Sequence, residues 1–230
     1  MASSSPKFIA ELNHVCELGL FGAADLDWWR NELADQPVEP VEVDGFAQLL
    51  ITGLAARWGI SKFHDISVMI TARSTFGEKQ EGLFILSAFN ASRFICFFED
   101  KWFGLPYGFR DDITMDLDPN WTYLMGSAST PALHLGWSER EPESRESFDG
   151  IFPLFLPQRR PTDAIKWLQV RIWGDTVFSP FEKSTDRCEF DRADGVPILT
   201  KLSESRFRPM RWHMRADGNH ARTKTYKVRT

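Results

Sequence analysis

The chain's 230 residues are 43% apolar, enough to build the core of one sizeable domain. Its 27 Lys and Arg against 32 Asp and Glu give a formal net charge of −5, which offers no general attraction to nucleic acid or to an acidic membrane surface. No apolar run reaches the roughly 18 residues of a spanning helix, and MASSSPKF lacks the apolar stretch of a secretion signal, so a cytoplasmic protein with neither membrane nor nucleic acid as partner is expected.

Ser5-Pro6, followed by Phe8, Ile9, Leu12, Val15 and Cys16 on one side, predicts a short covering helix, and Gly19 and Gly22 then break the chain. Asp25 caps a second helix over residues 26–34, whose Trp28 and Trp29 suit a plug at one end of the core. Pro37 and Pro40 mark a linker, so residues 1–40 read as a helical cover and 41–230 as one β domain. Residues 41–43 alternate as an edge strand does, and residues 46–56 and 63–73 read as longer strands. In the second of these, both faces are apolar or small, which predicts cover on both sides.

Residues 83–89 form a compact apolar strand, antiparallel to 63–73 through a charged turn at 76–80. A helix over residues 90–103 follows, with Asn90 as cap and Phe94, Phe97, Phe98 and Trp102 spaced as one aromatic face expected to be buried. Gly104 and Pro106 stop it. Further strands are predicted at 113–117 and 121–125, broken at Asp118-Pro119-Asn120, and at 133–137. Residues 139–146 read as a solvated charged loop, 151–157 as an irregular edge, and 166–173 with 176–181 as strands about Gly174-Asp175. The C-terminal segment reads as a hairpin, 206–215 and 220–229 about Ala216-Asp217-Gly218-Asn219. In it Met210, Trp212 and Met214 face the core and Arg211, His213 and Arg215 the other side.

With 9 Trp and 19 Phe against 3 Tyr, the composition suits a barrel filled by bulky side chains. The five histidines show no paired metal spacing, and Asp111, Asp112, Asp116 and Asp118 lack the glycine and terminal Glu of a calcium loop. Cys16, Cys96 and Cys188 are scattered and read as reduced thiols. No cofactor is implied.

The run Glu99 to Phe109, EDKWFGLPYGF, resembles the Gly-Arg-Glu-aromatic-aromatic-Gly-Phe-Pro-Lys-Lys-Phe signature of the acetoacetate decarboxylase family, with Trp102, Phe103, Gly104, Pro106 and Phe109 matching it. LFILSAF and FHDISVMI are similar to the flanking strands of that family, so the resemblance covers residues 46–127. It implies an α+β fold, a mostly antiparallel β-barrel or cone with one internal helix. It also implies a pocket carboxylate at Asp65, a second near Glu81, and a site for the Schiff-base lysine pair at Tyr107 and Gly108. Neither of those two residues can form an imine, a chemistry that requires a deprotonated lysine (acetoacetate decarboxylase is the standard example). The Leu-Pro-Tyr turn is similar instead to uncharacterised bacterial proteins of the same barrel class.

The expected function is therefore a barrel that binds or transforms a small carbonyl or carboxylate compound without a lysine imine, using Asp65, Arg73, Glu81 and Tyr107 as candidate contacts. Asp65, Glu81 and Tyr107 are the candidate catalytic groups. Two alternatives stay open: a noncatalytic interaction protein with a filled barrel, and a lyase using Lys101. A homo-oligomer is compatible with either.

Overall fold

In the computed structural model, residues 6–59, 61–117, 120–127, 129–191 and 195–228 are described. The strands and helices run β1 (Phe8–Asp25), α1 (Leu26–Glu32), β2 (Val38–Pro40), β3 (Glu42–Val43), β4 (Phe46–Trp58), β5 (Ser61–Ser74), β6 (Glu81–Asn90), α2 (Arg93–Trp102) and β7 (Tyr107–Phe109). They continue through β8 (Ile113–Asp116), β9 (Trp121–Ser127), β10 (Thr130–Trp137), β11 (Ser144–Leu156), β12 (Ile165–Pro180), β13 (Arg187–Phe190), α3 (Pro197–Glu204), β14 (Arg208–Thr223) and β15 (Tyr226–Val228). The chain is thus mostly β with three helices among the described residues. Ser5, Asp118, Pro119 and Arg229, which entered the sequence reading, lie outside them.

The larger sheet closes on itself. Its strands pair in the order β5-β4-β1-β14-β12-β11-β6, and β6 pairs back with β5, so seven strands make a ring. The β5–β6 and β4–β5 hairpins are antiparallel, whereas β11–β6 and β6–β7 are parallel. A second sheet, β13-β10-β9-β8, covers one outer face of the ring.

Period-two alternation then divides the side chains between two environments. On β5, Ile66, Val68, Ile70 and Ala72 point outward into the main core, while Phe63, Asp65, Ser67, Met69 and Thr71 point into the ring. On β4, Leu49 and Ile51 go outward, and Leu50, Thr52 and Leu54 inward. The outward set meets Tyr123, Met125, Leu133 and Leu135 of the second sheet and Trp29 and Leu199 of α1 and α3. This two-sided burial is why residues 66–71 look apolar on both faces.

Several sequence expectations are corrected. The covering helix starting at Ser5-Pro6 is absent from the described residues, because residues 8–25 are β1, paired to both β4 and β14. Residues 1–40 are accordingly no helical cover, and only α1 is helical there. Gly19 and Gly22 are not breakers. A Cβ on Gly19 would stand 1.8 Å from His213 Cε1, and one on Gly22 2.3 Å from Phe207 Cε2, so each glycine lets an aromatic ring lie on the strand.

At the other end of the chain, residues 208–223 form one strand rather than a hairpin. The turn-like Ala216-Asp217-Gly218-Asn219 sits at a bulge, marked by a register shift between Val15↔Gly218 and Glu17↔Arg215. Trp212 and Met214 are buried, but Met210 is exposed. Residues 165–180 are likewise continuous, and the expected loop and irregular edge between 139 and 157 contribute to β11.

The internal helix is shorter than expected and turned about its axis. Ser92, not Asn90, caps it, accepting from the Ile95 N–H at 3.4 Å, while Asn90 Oδ1 accepts from the Ser92 N–H at 2.8 Å. Ile95, Cys96 and Glu99 are the buried side chains, and Phe94, Phe97 and Trp102 are exposed. Spacing alone could not choose between these two faces, since each contains a run of residues three or four apart.

Candidate functional site

The ring encloses a cavity of about 840 Å³. Most of its wall is apolar, contributed by Leu50, Phe63, Met69, Ile85, Phe148, Phe178 and their neighbours; Glu11 and Glu81 are exposed at its edge, and the other ionisable groups are buried or half-buried. These inner ionisable groups form three sets, around Asp65, Glu99 and Glu17.

Asp65 reaches the interior from β5, opposite Leu54 on β4 and Asn90 on β6. The turn at Gly104 brings β7 alongside β6, pairing Tyr107 with Ala88, and the Tyr107 hydroxyl donates to Asp65 Oδ2 at 3.0 Å. Asp65 Oδ1 is buried and has no hydrogen-bond partner. Burial raises the Asp65 pKa to about 8; the nearby charges of Glu99 and Glu17 push the same way, and Tyr107 and Arg222 oppose it. The carboxyl is therefore largely protonated at neutral pH. With Oδ2 accepting from Tyr107, the protonated form carries its proton on Oδ1, a buried donor without a partner in the cavity wall. Burial also carries the Tyr107 phenol well above its ordinary pKa, so it remains a donor.

The second set joins the helix to β14. Glu99, on the buried face of α2, pairs with Arg222, whose guanidinium lies 3.9 Å over the Phe103 ring. Glu99 Oε2 is buried without a partner, and burial raises this carboxyl's pKa against the pull of Arg222. The third set centres on Glu17 of β1. His213 Nε2 lies 3.3 Å from its Oε1, His220 Nε2 3.2 Å from its Oε2, and Arg215 pairs with it while donating through Nε to Thr176 Oγ1 at 3.0 Å. Burial works to raise the Glu17 pKa, but the hydrogen bonds and charges of His213 and His220 outweigh it and hold the carboxyl well below the ordinary range.

Among the sequence candidates, Asp65 and Tyr107 are brought together. Glu81 touches the cavity wall at the opposite end of the β5–β6 ladder, eight residue pairs from Asp65, or roughly 26 Å at about 3.3 Å per residue. It is exposed and engaged with Arg73 at 2.5 Å. Arg73 does not line the cavity and also approaches Glu39 at 3.7 Å, so it is engaged in ion pairs outside the cavity wall. Lys101 is exposed, 6.0 Å over the Phe97 ring, and no lysine lines the cavity among the described residues. Among the described residues no cluster of His, Cys, Asp and Glu is arranged to hold a metal ion.

Sequence reasoning missed Glu17, Glu99, His213, Arg215, His220 and Arg222. The last four form a repeated His-x-Arg spacing, His213-Met214-Arg215 and His220-Ala221-Arg222, on one strand. Reading a turn between the two copies put them on two separate strands, whereas one strand carries all four into the ring.

Comparison with known proteins gives a uniform result at the level of fold. No family model matches the chain, and no curated protein matches it in sequence. Among solved structures it is similar to the acetoacetate decarboxylase of Legionella pneumophila, with a TM-score of 0.65 at 12% identity over 99% of this chain and 93% of that one. It is also similar to an acetoacetate decarboxylase-like enzyme from Sphingomonas wittichii RW1, with a TM-score of 0.60 at 11% identity over 96% and 91%. The enduracididine biosynthesis enzyme MppR superposes with a TM-score of 0.63 at 10% identity over 98% and 89%. The chain has the acetoacetate decarboxylase-like fold, in agreement with the resemblance carried by EDKWFGLPYGF.

Proposed function

We propose that this protein binds a small, largely apolar carbonyl compound in the ring and acts on it by acid–base chemistry, with no lysine imine. The observation that carries this reading is the Asp65 carboxyl in the wall of an apolar cavity, held at Oδ2 by Tyr107 and buried without a partner at Oδ1, where burial favours its protonated form. A carbonyl oxygen is the acceptor that such a donor lacks. Glu99 Oε2 is the complementary group, a buried acceptor whose raised pKa makes it the stronger base.

The reaction class that uses both is enolisation. Glu99 takes a proton from the carbon beside the carbonyl, the C–H electron pair becomes the C=C bond, and the carbonyl oxygen takes the proton of Asp65. The product is the enol, and proton exchange restores the two carboxyls. Arg222 offsets charge beside Glu99, and the apolar wall supplies contact area for the rest of the molecule. Among the described residues lining the cavity there is no lysine, so the proposed chemistry uses none. The cavity volume of about 840 Å³ also speaks against the filled-interior alternative.

The test is hydrogen exchange in deuterium oxide, followed by NMR, on a panel of methyl ketones, 2-oxo acids and 3-oxo acids. Protein-dependent exchange beside the carbonyl, lost in Asp65→Asn and Glu99→Gln, is expected. Wild-type exchange rates in Asp65→Asn, or a borohydride-trapped adduct on Lys101 formed with turnover, would overturn the proposal.

A further inference from the structure

Helix α2 presents large rings to solvent. Phe94, Phe97 and Trp102 are 57%, 62% and 71% exposed. Trp58, at the end of β4, joins them: its ring centroid lies 6.0 Å from Phe94 and 4.5 Å from Phe98, and Phe98 lies 5.5 Å from Trp102. Phe94, Trp58, Phe98 and Trp102 thus form a continuous row, an apolar patch of the kind that marks a contact surface. Trp58, Phe98 and Trp102 also line the cavity, as does the exposed Ile9. The patch is therefore the rim of the cavity mouth.

Its charges are mainly positive. Arg57 and Lys62 sit opposite each other in the β4–β5 pairing beside Trp58, and Arg93 and Lys101 lie on α2. All four are exposed, and none forms an ion pair among the described residues; Arg93 lies over Phe109 and Lys101 over Phe97. Two exposed acids are adjacent: Asp100, engaged by Arg159 at 3.4 Å, and Glu11, in the cavity wall with Trp58. The whole-chain charge of −5 therefore conceals a local surface of the opposite sign.

Rings alone would suit a second copy of the chain, but a two-fold contact through this face would set the four unpaired cations against their own images. A single-stranded nucleic acid would match rings and cations, yet would gain nothing from an apolar cavity opening among them. Aromatic rings flanked by Lys and Arg match the interface of an anionic bilayer.

We propose that the α2 face docks on an anionic lipid bilayer and sets the cavity mouth against it, so that an apolar ligand passes between membrane and cavity. This inference concerns access to the cavity and is independent of the reaction that follows. The negative global balance disfavours such contact at long range, and the local patch supplies it at short range.

The experiment is flotation of the full chain with phosphatidylcholine vesicles and with phosphatidylcholine–phosphatidylglycerol vesicles, at low and high salt, alongside tryptophan emission. Binding to the anionic vesicles, weakened by salt and accompanied by a blue shift, is expected. Phe94→Ser/Phe97→Ser, which alters rings outside the cavity wall, should abolish it while leaving the thermal midpoint near the wild-type value. Arg93→Gln/Lys101→Gln should weaken it about thirtyfold, from roughly fivefold per cation. Equal partition onto neutral vesicles, or none onto anionic ones, overturns the proposal. So does a dimer in sedimentation that the two Phe substitutions disperse without any vesicle binding, or an oligonucleotide that displaces the vesicles.

Discussion

Replacing Asp65 by Asn isolates the energetics of the cavity from its chemistry. The Asp65 pKa stands at about 8 in the folded chain against an ordinary value of 3.8, chiefly through burial. Between those values the folded carboxyl keeps its proton while the unfolded one has lost it, so the native state binds more protons. Stability contributed by this group is present below the unfolded pKa and falls as pH rises toward the folded pKa. A tenfold difference in proton affinity between the two states is worth about 1.4 kcal/mol, so the full window amounts to roughly 5 to 6 kcal/mol and the span from about pH 5 to pH 8 to roughly 3 to 4 kcal/mol. That is a large share of the roughly 5 to 15 kcal/mol that holds a domain folded. Asparagine does not titrate, and its Oδ1 can still accept from Tyr107. Urea unfolding of both proteins at several pH values across this window should show the wild type losing stability relative to Asp65→Asn as pH rises. Contributions from groups distant from Asp65 cancel in the difference. Parallel pH profiles would refute the assignment of a neutral buried carboxyl.

Arg222→Met leaves Glu99 buried without its cation and should cost about 3 to 5 kcal/mol in denaturant unfolding, whereas Arg222→Met combined with Glu99→Leu should recover most of the loss. Gly19→Ala places a Cβ where His213 Cε1 stands, and that ring is held near Glu17 by its hydrogen bond, so a loss of about 1 to 3 kcal/mol or more is expected, read as a lowered thermal midpoint. Phe98 is half-buried rather than enclosed, so Phe98→Ala should cost about 1 to 2 kcal/mol, below the 3 to 5 typical of a fully buried Phe.

The legible parts of the sequence were those in which local chemistry and tertiary environment agree. Strands β4, β5 and β6 announce themselves because their apolar runs end at charged or glycine-containing turns. Helix α1 has the Asp25 cap that its text suggests, with the side chain accepting from the Trp28 N–H at 3.0 Å. Failures arose where a residue type served an unusual purpose. Gly19 and Gly22 look like punctuation but permit close approach of rings, and Ala216-Asp217-Gly218-Asn219 looks like a hairpin turn but occupies a bulge in a long strand. The proximity of Asp65 and Tyr107 was accessible only through the turn signature, since 42 positions separate them. Nothing local in the sequence joins Glu17 to Arg215, which are 198 positions apart.

The charge arrangement of the cavity also constrains its occupant. Glu17 is matched by Arg215 and Glu99 by Arg222, so both guanidiniums facing the ring are already committed to carboxylates. Asp65 is left with a neutral phenol as its partner, which is the arrangement in which burial keeps it protonated. A carboxylate ligand beside Asp65 would add another negative charge to a space with no uncommitted guanidinium, unless it separated an existing pair at the cost of a second unpaired charge. A ketone or aldehyde oxygen accepts the Asp65 proton donor without changing that balance. Within the compounds proposed as ligands, a neutral carbonyl is therefore preferred at the Asp65 position. A carboxylate elsewhere on the same molecule belongs toward the exposed mouth, on the side of the β4–β5 end and of α2, which carry Arg57, Lys62, Arg93 and Lys101 outside the cavity wall and without ion-pair partners among the described residues.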